Sequence, residues 1–385
     1  MTQRLPQTRE VPRRLRAAVR RRVERTKQRA RDYRSRTEDG AIAMDGLVFA
    51  SVIVTFLSFL AGSRWTVIPV VVFLASMGVG WYRYQAEAAK ITTLLTTVIT
   101  VSILTLIVAF LVIESVPAVR LMGLDLLTQI RNPTMDDPAL GQGLWGRNDV
   151  WSLTPMMLGT AVTTLIATLI AAPIGIAGAV FVSEIAPRRV REVVKPGIEL
   201  MAGIPSITYG FIGLTIVNQY FYLEFGTPTI GTYFAAGLMI GIMALPTVVT
   251  VAEDALNAVP ESIKSGALAI GSTRWQTTKS VTIPAGLSGV SAGVLLGIGR
   301  AMGETMAATV MLTHTKGFPS PVFDVFSNYG ETLTTVIAFE GGNASGVHMS
   351  ALFAAGVVLF VMVMLLSVAS QYVEWRMYQK LGGEQ

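Results

Sequence analysis

The stretch EDALNAVPESIKSGALAIGSTRWQTTKSVTIP, residues 253–284, is a polar segment between two long apolar ones, and it decides how this chain is organised. Glu261 favours the positive end of a helix dipole, so a helix is expected to begin there. Gly271 can take the left-handed backbone conformation that ends a helix. Thr273 and Gln276 have the spacing of a capping box. The stretch therefore predicts two short helices joined by a sharp turn.

One face of the first predicted helix is apolar. Ile263, Ala267 and Ile270 follow one another at steps of four and three residues, which places them on the same side of a helix. An amphipathic helix presented in this way suits insertion into a groove of another protein. The alternative is an ordinary connecting loop that packs on its own bundle, and the glycine and proline spacing favours docking.

The composition places this stretch in a membrane protein. The chain has 385 residues, of which 51% are hydrophobic and 15% are charged, which is too apolar for an ordinary soluble protein. A spanning helix needs about 20 apolar residues. We therefore predict an all-α polytopic membrane protein with eight spans. They lie at residues 44–62, 66–82, 91–113, 154–182, 200–219, 229–252, 285–313 and 347–370.

The basic residues predict the orientation. With the N-terminus in the cytoplasm, 25 of the 31 lysines and arginines lie inside and 5 lie outside. Both termini and the segment 253–284 are then cytoplasmic. Residues 1–40 are strongly basic and are expected to contact anionic lipid head groups. Nucleic-acid binding is disfavoured, because Tyr33 is the single aromatic residue in this tail.

We predict three regions: a basic tail at 1–43, an accessory transmembrane hairpin at 44–90 and a membrane core at 91–385. The outer segment 114–153 is either a surface for an external partner or a plain loop. The chain has no cysteine and two histidines, so no metal site is predicted and the histidines receive no role.

Span 285–313 contains two charges, Arg300 and Glu304, near its centre. Each charge costs at least about 2.5–3.5 kcal/mol there. The same helix carries three glycines at four-residue spacing, which allow close packing against another helix. They are Gly289, Gly293 and Gly297. The charges continue this stripe, so we expect them to face the bundle rather than lipid.

The residue types suggest a role for this pair. The spacing lets Arg300 and Glu304 pair on one helix. A guanidinium matches two oxygens of a tetrahedral oxyanion at once. We hypothesise that both residues line the path of an anionic solute, and the alternative is an intrahelical salt bridge that only fixes packing.

A second candidate site lies in span 200–219, where Gly203 to Gly210 includes a helix-breaking proline. Broken helices are tolerated in membranes where they line a cavity. Ser206, Thr208 and Tyr209 would offer hydroxyl groups there. A kinked helix with hydroxyls bonded to its own backbone is the equal alternative.

No phosphate-binding P-loop is present. The nearest string, Gly266 to Gly271, lacks the lysine that must follow. Any ATPase that serves this chain must therefore be another polypeptide, and no cofactor is expected in the chain itself.

The segment 253–284 resembles the "EAA" loop by which permeases of ABC transporters dock onto their ATPase. Other motifs across residues 91–370 resemble the phosphate-specific ABC permeases. These motifs are Pro173-Ile174-Gly175, Ser183-Glu184, Ala186-Pro187-Arg188, Ala202-Gly203-Ile204-Pro205-Ser206, Tyr209-Gly210-Phe211, Gly271-Ser272-Thr273-Arg274-Trp275 and Gly299-Arg300-Ala301-Met302-Gly303-Glu304-Thr305-Met306.

The resemblance implies a six-span type-I importer core for inorganic phosphate, in a prokaryotic cell membrane. It implies a second permease half, two cytoplasmic ATPase subunits that hold ATP and magnesium, and an external phosphate-binding protein. Gly303 to Ala307 looks like the PstC type, so the second half would be PstA-like. The family's intramembrane charges fall on Arg300 and Glu304.

The resemblance also assigns a set of residues to ATPase coupling. They are Glu261, Ser265, Gly266, Ala267, Gly271, Arg274 and Pro284. Ser265 stands where the family usually has Glu, and Glu261 is the candidate substitute for that carboxylate. Three alternative functions remain: import of sulfate or molybdate, an ion-coupled carrier or channel without an ATPase, and a membrane scaffold for phosphate signalling.

Overall fold

The computed structural model describes residues 39–132, 143–147, 149–319 and 324–380, and nearly all of its regular structure is helical. Most of the basic tail and the middle of the segment 114–153 lie outside the described residues. The expected lipid contacts of the tail therefore stay predictions.

The chain forms two compact units, and the first ends at Leu106. Its helices form a hairpin, and Met44, Val48 and Ile91 are buried together in it. Gly62 makes the turn with a φ of 62°, in the left-handed region. The elements are α1 (Asp39–Leu60), a 3₁₀ turn (Arg64–Thr66), α2 (Val67–Arg83) and the start of α3 (Gln85–Met122). The predicted division at residue 90 stays a prediction.

The second unit begins at Ile107 and contains the remaining elements. Its strands are β1 (Trp145–Arg147) and β2 (Val150–Trp151), which pair antiparallel. Its first helices are α4 (Asp125–Thr128), α5 (Thr154–Val180), α6 (Arg188–Gly203), α7 (Ser206–Ile212), α8 (Gln219–Phe225) and α9 (Tyr233–Asn257). They are followed by α10 (Glu261–Ala269), α11 (Arg274–Thr277), α12 (Ile283–Ala285), α13 (Leu287–Met302), α14 (Met306–Met311), α15 (Leu333–Glu340) and α16 (Gly346–Lys380).

Six described helices are long and apolar enough to span a membrane, and two bent helix pairs raise this number to eight, as predicted. The bent pairs replace the predicted continuous spans 200–219 and 285–313. α6 meets α7 at 90°, and the segment α11–α12 meets α13 at 70°. The first bend lies at Pro205, where proline cannot continue the helical hydrogen bonding.

The prediction that residues 285–313 form one helix is wrong. α13 ends at Met302, and a new short helix begins at Met306. Gly303 has a low helix propensity, and the Glu304 carboxylate accepts the backbone N–H of Ala307. This local hydrogen bond lies at the start of α14, and Glu304 lies in the break rather than on the helix.

α9 is the central helix of the second unit, and it packs between α5 and α13 through small residues. Val248 on α9 lies between two glycines. A Cβ built on Gly175 of α5 would lie 2.6 Å from Val248 Cγ1, and one built on Gly297 of α13 would lie 2.5 Å from Val248 Cγ2. Only glycine permits these approaches, so the three helices are held close together around Val248.

Candidate functional site

The guanidinium of Arg300 projects from the last turn of α13 and is half-buried. Its Nη1 donates a hydrogen bond of 3.0 Å to Thr247 Oγ1 on α9. Among the described residues, no carboxylate forms an ion pair with it. Arginine has five N–H donors, so most of them remain for another ligand.

Glu304 does not pair with Arg300, which corrects the expectation of an ion pair along one helix. Its Oε1 accepts the Ala307 N–H at 2.9 Å, and its backbone oxygen accepts the Thr334 hydroxyl at 2.9 Å. The break at residues 303–305 is the physical reason, because it removes the helical register that would align the two side chains. Glu304 thus fixes the start of α14 and contacts α15.

The hydroxyl residues of the second candidate site surround the bend between α6 and α7. Tyr209 is buried in one cluster with Ala301, the neighbour of Arg300, and its hydroxyl donates to the Met201 carbonyl at 3.0 Å. A Cβ on Gly210 would lie 2.8 Å from Ala307 Cα, so α7 packs directly on α14. Ser206 is half-buried and Thr208 is exposed. The structure therefore brings Tyr209 to the region of Arg300.

The predicted glycine stripe of α13 faces α9. A Cβ on Gly293 would lie 3.2 Å from the Ala252 nitrogen and 3.3 Å from the Val248 oxygen, and a Cβ on Gly289 would meet Ala255. These contacts fix how closely α13 approaches α9. They also set the depth at which Arg300 reaches Thr247.

The two helices of segment 253–284 form as predicted. Gly271 has a φ of 94°, in the left-handed region. Thr273 and Gln276 make the capping box, in which each side chain accepts from the other residue's backbone N–H, at 2.8 and 3.3 Å. α10 has no buried residue. Ile263 on α10 and Ile270, which directly follows it, are exposed and open for a partner.

The residues that the resemblance assigns to ATPase coupling differ in their exposure. Glu261, Ser265, Gly266, Gly271 and Arg274 are exposed, whereas Ala267 and Pro284 are half-buried. On the apolar face, Ile263 is 47% exposed and Ile270 is 86% exposed. A surface of this kind is suited to a groove of another subunit. Glu261 forms no ion pair among the described residues, and its role as a substitute for the missing carboxylate at position 265 stays a prediction.

The ion pair of this loop comes instead from two residues to which the sequence assigned no such role. Lys264 Nζ on α10 lies 2.7 Å from Glu184 Oε1, which follows α5, and both side chains are largely buried. A second ion pair joins Lys195 on α6 to Glu253 on α9 at 3.1 Å. No local sequence pattern marks these partners, because each pair joins distant segments.

Both histidines belong to a polar network around α15, although the sequence analysis assigned them no role. His314 Nδ1 lies 2.7 Å from Glu331 Oε1, and His348 Nε2 lies 2.6 Å from Glu340 Oε2. Lys316 connects the carboxylates, since its Nζ is 2.5 Å from Glu340 and 3.8 Å from Glu331. Glu331 lies two residues before α15 and Glu340 is its last residue, so the network holds both ends of that helix.

Burial and partners shift the two carboxylates in opposite directions. Burial raises the pKa of Glu331, and the charges of Lys316 and His314 only partly offset that effect. Burial also acts to raise the pKa of Glu340, but hydrogen bonds from Lys316, Trp145 and His348 outweigh it and the pKa is lowered. No group of side chains suited to hold a metal is found among the described residues.

The geometry can be compared with known proteins. Residues 171–378 match the family model described as "Binding-protein-dependent transport system inner membrane component". The matched range includes α10, α11, Arg300 and Glu304.

Named relatives are similar over most of their own length. A Bacillus subtilis protein called "Probable ABC transporter permease protein YqgH" is 37% identical over 257 residues, which is 66% of this chain and 78% of the relative. A Xylella fastidiosa protein called "Phosphate transport system permease protein PstC" is 35% identical over 61% of this chain and 77% of its own. Among solved structures, the MetNI methionine ABC transporter covers 58% of this chain and 95% of the other, with 18% identity and a TM-score of 0.47.

Proposed function

Because the chain belongs to the family of inner membrane components of binding-protein-dependent transport systems, we propose that it is the permease subunit of an ATP-driven importer of inorganic phosphate. The phosphate assignment rests on relatives that carry the name of the PstC phosphate permease. It agrees with the resemblance of the chain's own motifs to that type of permease half.

The observation that carries the proposal is the half-buried guanidinium of Arg300, with Thr247 as its hydrogen-bonding partner. A positive charge in a membrane span is costly unless it has a function or a partner. A phosphate ion supplies the counter-charge and oxygens that two guanidinium N–H groups can bind together. The free-energy cost of placing the Arg300 charge in the membrane would thus be offset when the solute binds.

Glu304 supports phosphate over sulfate. Phosphate keeps at least one proton near neutral pH, and a carboxylate oxygen can accept a hydrogen bond from that O–H group. Sulfate has no such proton, so the carboxylate would only repel it. Glu304 Oε1 is used by Ala307, and Oε2 stays available for this contact among the described residues.

The proposed assembly contains partners on both sides of the membrane. α10 and α11 would dock onto a pair of cytoplasmic ATPase subunits, which would bind ATP and magnesium. A PstA-like second half would complete the path, and an external phosphate-binding protein would deliver the ion. Both termini of this chain would lie in the cytoplasm.

The test is uptake of labelled phosphate by the complete complex in vesicles loaded with ATP. Wild type should import phosphate only with ATP, and excess sulfate should not compete. Arg300→Gln should abolish uptake while the complex still assembles, because it removes the charge but keeps the side-chain length. Arg300→Lys keeps the charge and should retain part of the uptake. Unchanged uptake in Arg300→Gln, or competition by sulfate, would overturn the assignment.

A further inference from the structure

Among the described residues, the side-chain hydrogen bonds that link α10 to the membrane helices come from a single residue. α10 packs mainly against its own loop, at α11 and the π-turn Thr278–Thr282. Among the described residues, Lys264 is the one member of α10 whose side chain makes a hydrogen bond to a residue outside that helix. It reaches Glu184 at 2.7 Å and the Leu256 carbonyl at 3.4 Å.

The ion pair is shielded from solvent. The side chains of Lys264 and Glu184 are 14% and 12% exposed. Solvent and salt therefore screen their attraction less than that of a surface pair. A cavity of about 310 Å³ lies beside them, and its lining includes Glu261 and Arg274. Of the four charged side chains that line this cavity, Lys264 and Glu184 are the two that lie within ion-pair distance of each other.

Glu184 connects this contact to the intramembrane site. It lies in the π-turn Phe181–Ile185 that directly continues α5. α5 packs along α9 and α13, and Val248 of α9 touches both of its neighbours. A displacement of Lys264 therefore reaches α5 directly, without passing along the chain through residues 270–286.

We propose that the Lys264–Glu184 ion pair transmits the movement of the docking helix to α5, as a pair of positioning residues for transport. The inference rests on the proposed function, because it assumes that an ATPase moves α10. When the pair is intact, α10 and the cytoplasmic end of α5 move together. When it is broken, α10 can follow the ATPase while α5 stays behind, so ATP is hydrolysed without import.

The experiment measures phosphate ions imported per ATP hydrolysed in the complete reconstituted complex. The variants are Lys264→Gln and Glu184→Gln, which remove one charge each, and Lys264→Arg, which keeps it. The matched control is Lys195→Gln, which breaks the Lys195–Glu253 pair between α6 and α9 and leaves α10 untouched. Co-purification of the ATPase subunits reports assembly for every variant.

We expect the two neutral variants to assemble and hydrolyse ATP but to import about fivefold less phosphate per ATP, the low end of typical coupling between sites. Lys264→Arg and Lys195→Gln should keep the wild-type ratio. The proposal is overturned if the neutral variants keep that ratio, or if Lys264→Arg is as defective as Lys264→Gln.

If the neutral variants do not assemble, the double exchange Glu184→Lys with Lys264→Glu decides. Coupled import by the exchanged pair supports the proposal, and its assembly without coupling overturns it. A wild-type complex that shows no ATP-driven uptake would instead refute the proposed function, so the two failures are distinguishable.

Discussion

The contact between α13 and α9 can be tested by adding a single methyl group to α13. In Gly297→Ala, the new Cβ would lie 2.5 Å from Val248 Cγ2. Carbon atoms normally approach to about 3.5–4.0 Å, so the overlap is about 1.0–1.5 Å. Val248 cannot rotate away cheaply, because a β-branched side chain in a helix has one preferred rotamer.

Two opposing effects determine how much Gly297→Ala changes the stability of the protein. Overpacking of a well-packed contact costs about 1–3 kcal/mol. Replacing glycine by alanine in a helix returns about 1 kcal/mol of helix propensity. Gly297→Ala should therefore be about 0–2 kcal/mol less stable than wild type. Gly299→Ala is the control on the same helix, since its Cβ would meet nothing within 4 Å and only the favourable term applies.

The assay is thermal unfolding of the purified complex, followed by tryptophan fluorescence at one scan rate, together with phosphate uptake. Gly297→Ala should unfold at a lower temperature than Gly299→Ala and import less, because Arg300 is displaced with α13. Val248→Ala should cost less in the Gly297→Ala background than in wild type, because it removes the clashing methyl. Equal stability of the two glycine variants, with no coupling to Val248, would refute this packing.

Two further results are expected. Thr247→Val should raise the half-saturating phosphate concentration about tenfold, which is the low end for losing a hydrogen bond to a charged group. Thr247→Ser keeps the hydroxyl and should not raise it. Equal half-saturating concentrations in the two variants would show that Thr247 does not position Arg300. The contributions of Glu340 and Glu331 to stability should depend on pH with opposite signs. The lowered pKa of Glu340 means that its stabilisation is present above the ordinary value of 4.5 and is lost as the pH falls through the native pKa. The raised pKa of Glu331 means that its contribution is present below 4.5 and is lost as the pH rises through the native pKa. The difference in unfolding temperature between wild type and Glu340→Gln should therefore widen as the pH rises. The difference between wild type and Glu331→Gln should narrow over the same range. Parallel slopes for the two variants would contradict the assignment.

Local features of this protein are readable from short stretches of its sequence. The capping box at Thr273 and the left-handed turn at Gly271 depend on neighbouring residues, and both form as the spacing predicts. Apolar length predicts the number of membrane segments, because a bilayer demands about 20 apolar residues whatever the neighbouring helices do. The positions of Arg300 and Glu304 are likewise visible as charges within an apolar run.

Contacts between distant segments follow from packing, which no short stretch encodes. Arg300 meets Thr247, which lies 53 residues earlier, and Lys264 meets Glu184, which lies 80 residues earlier. Glu304 has the right spacing for Arg300, yet a break in the helix directs its carboxylate to the Ala307 amide. The glycines around Val248 set how closely α5, α9 and α13 approach, and that distance decides which polar groups meet.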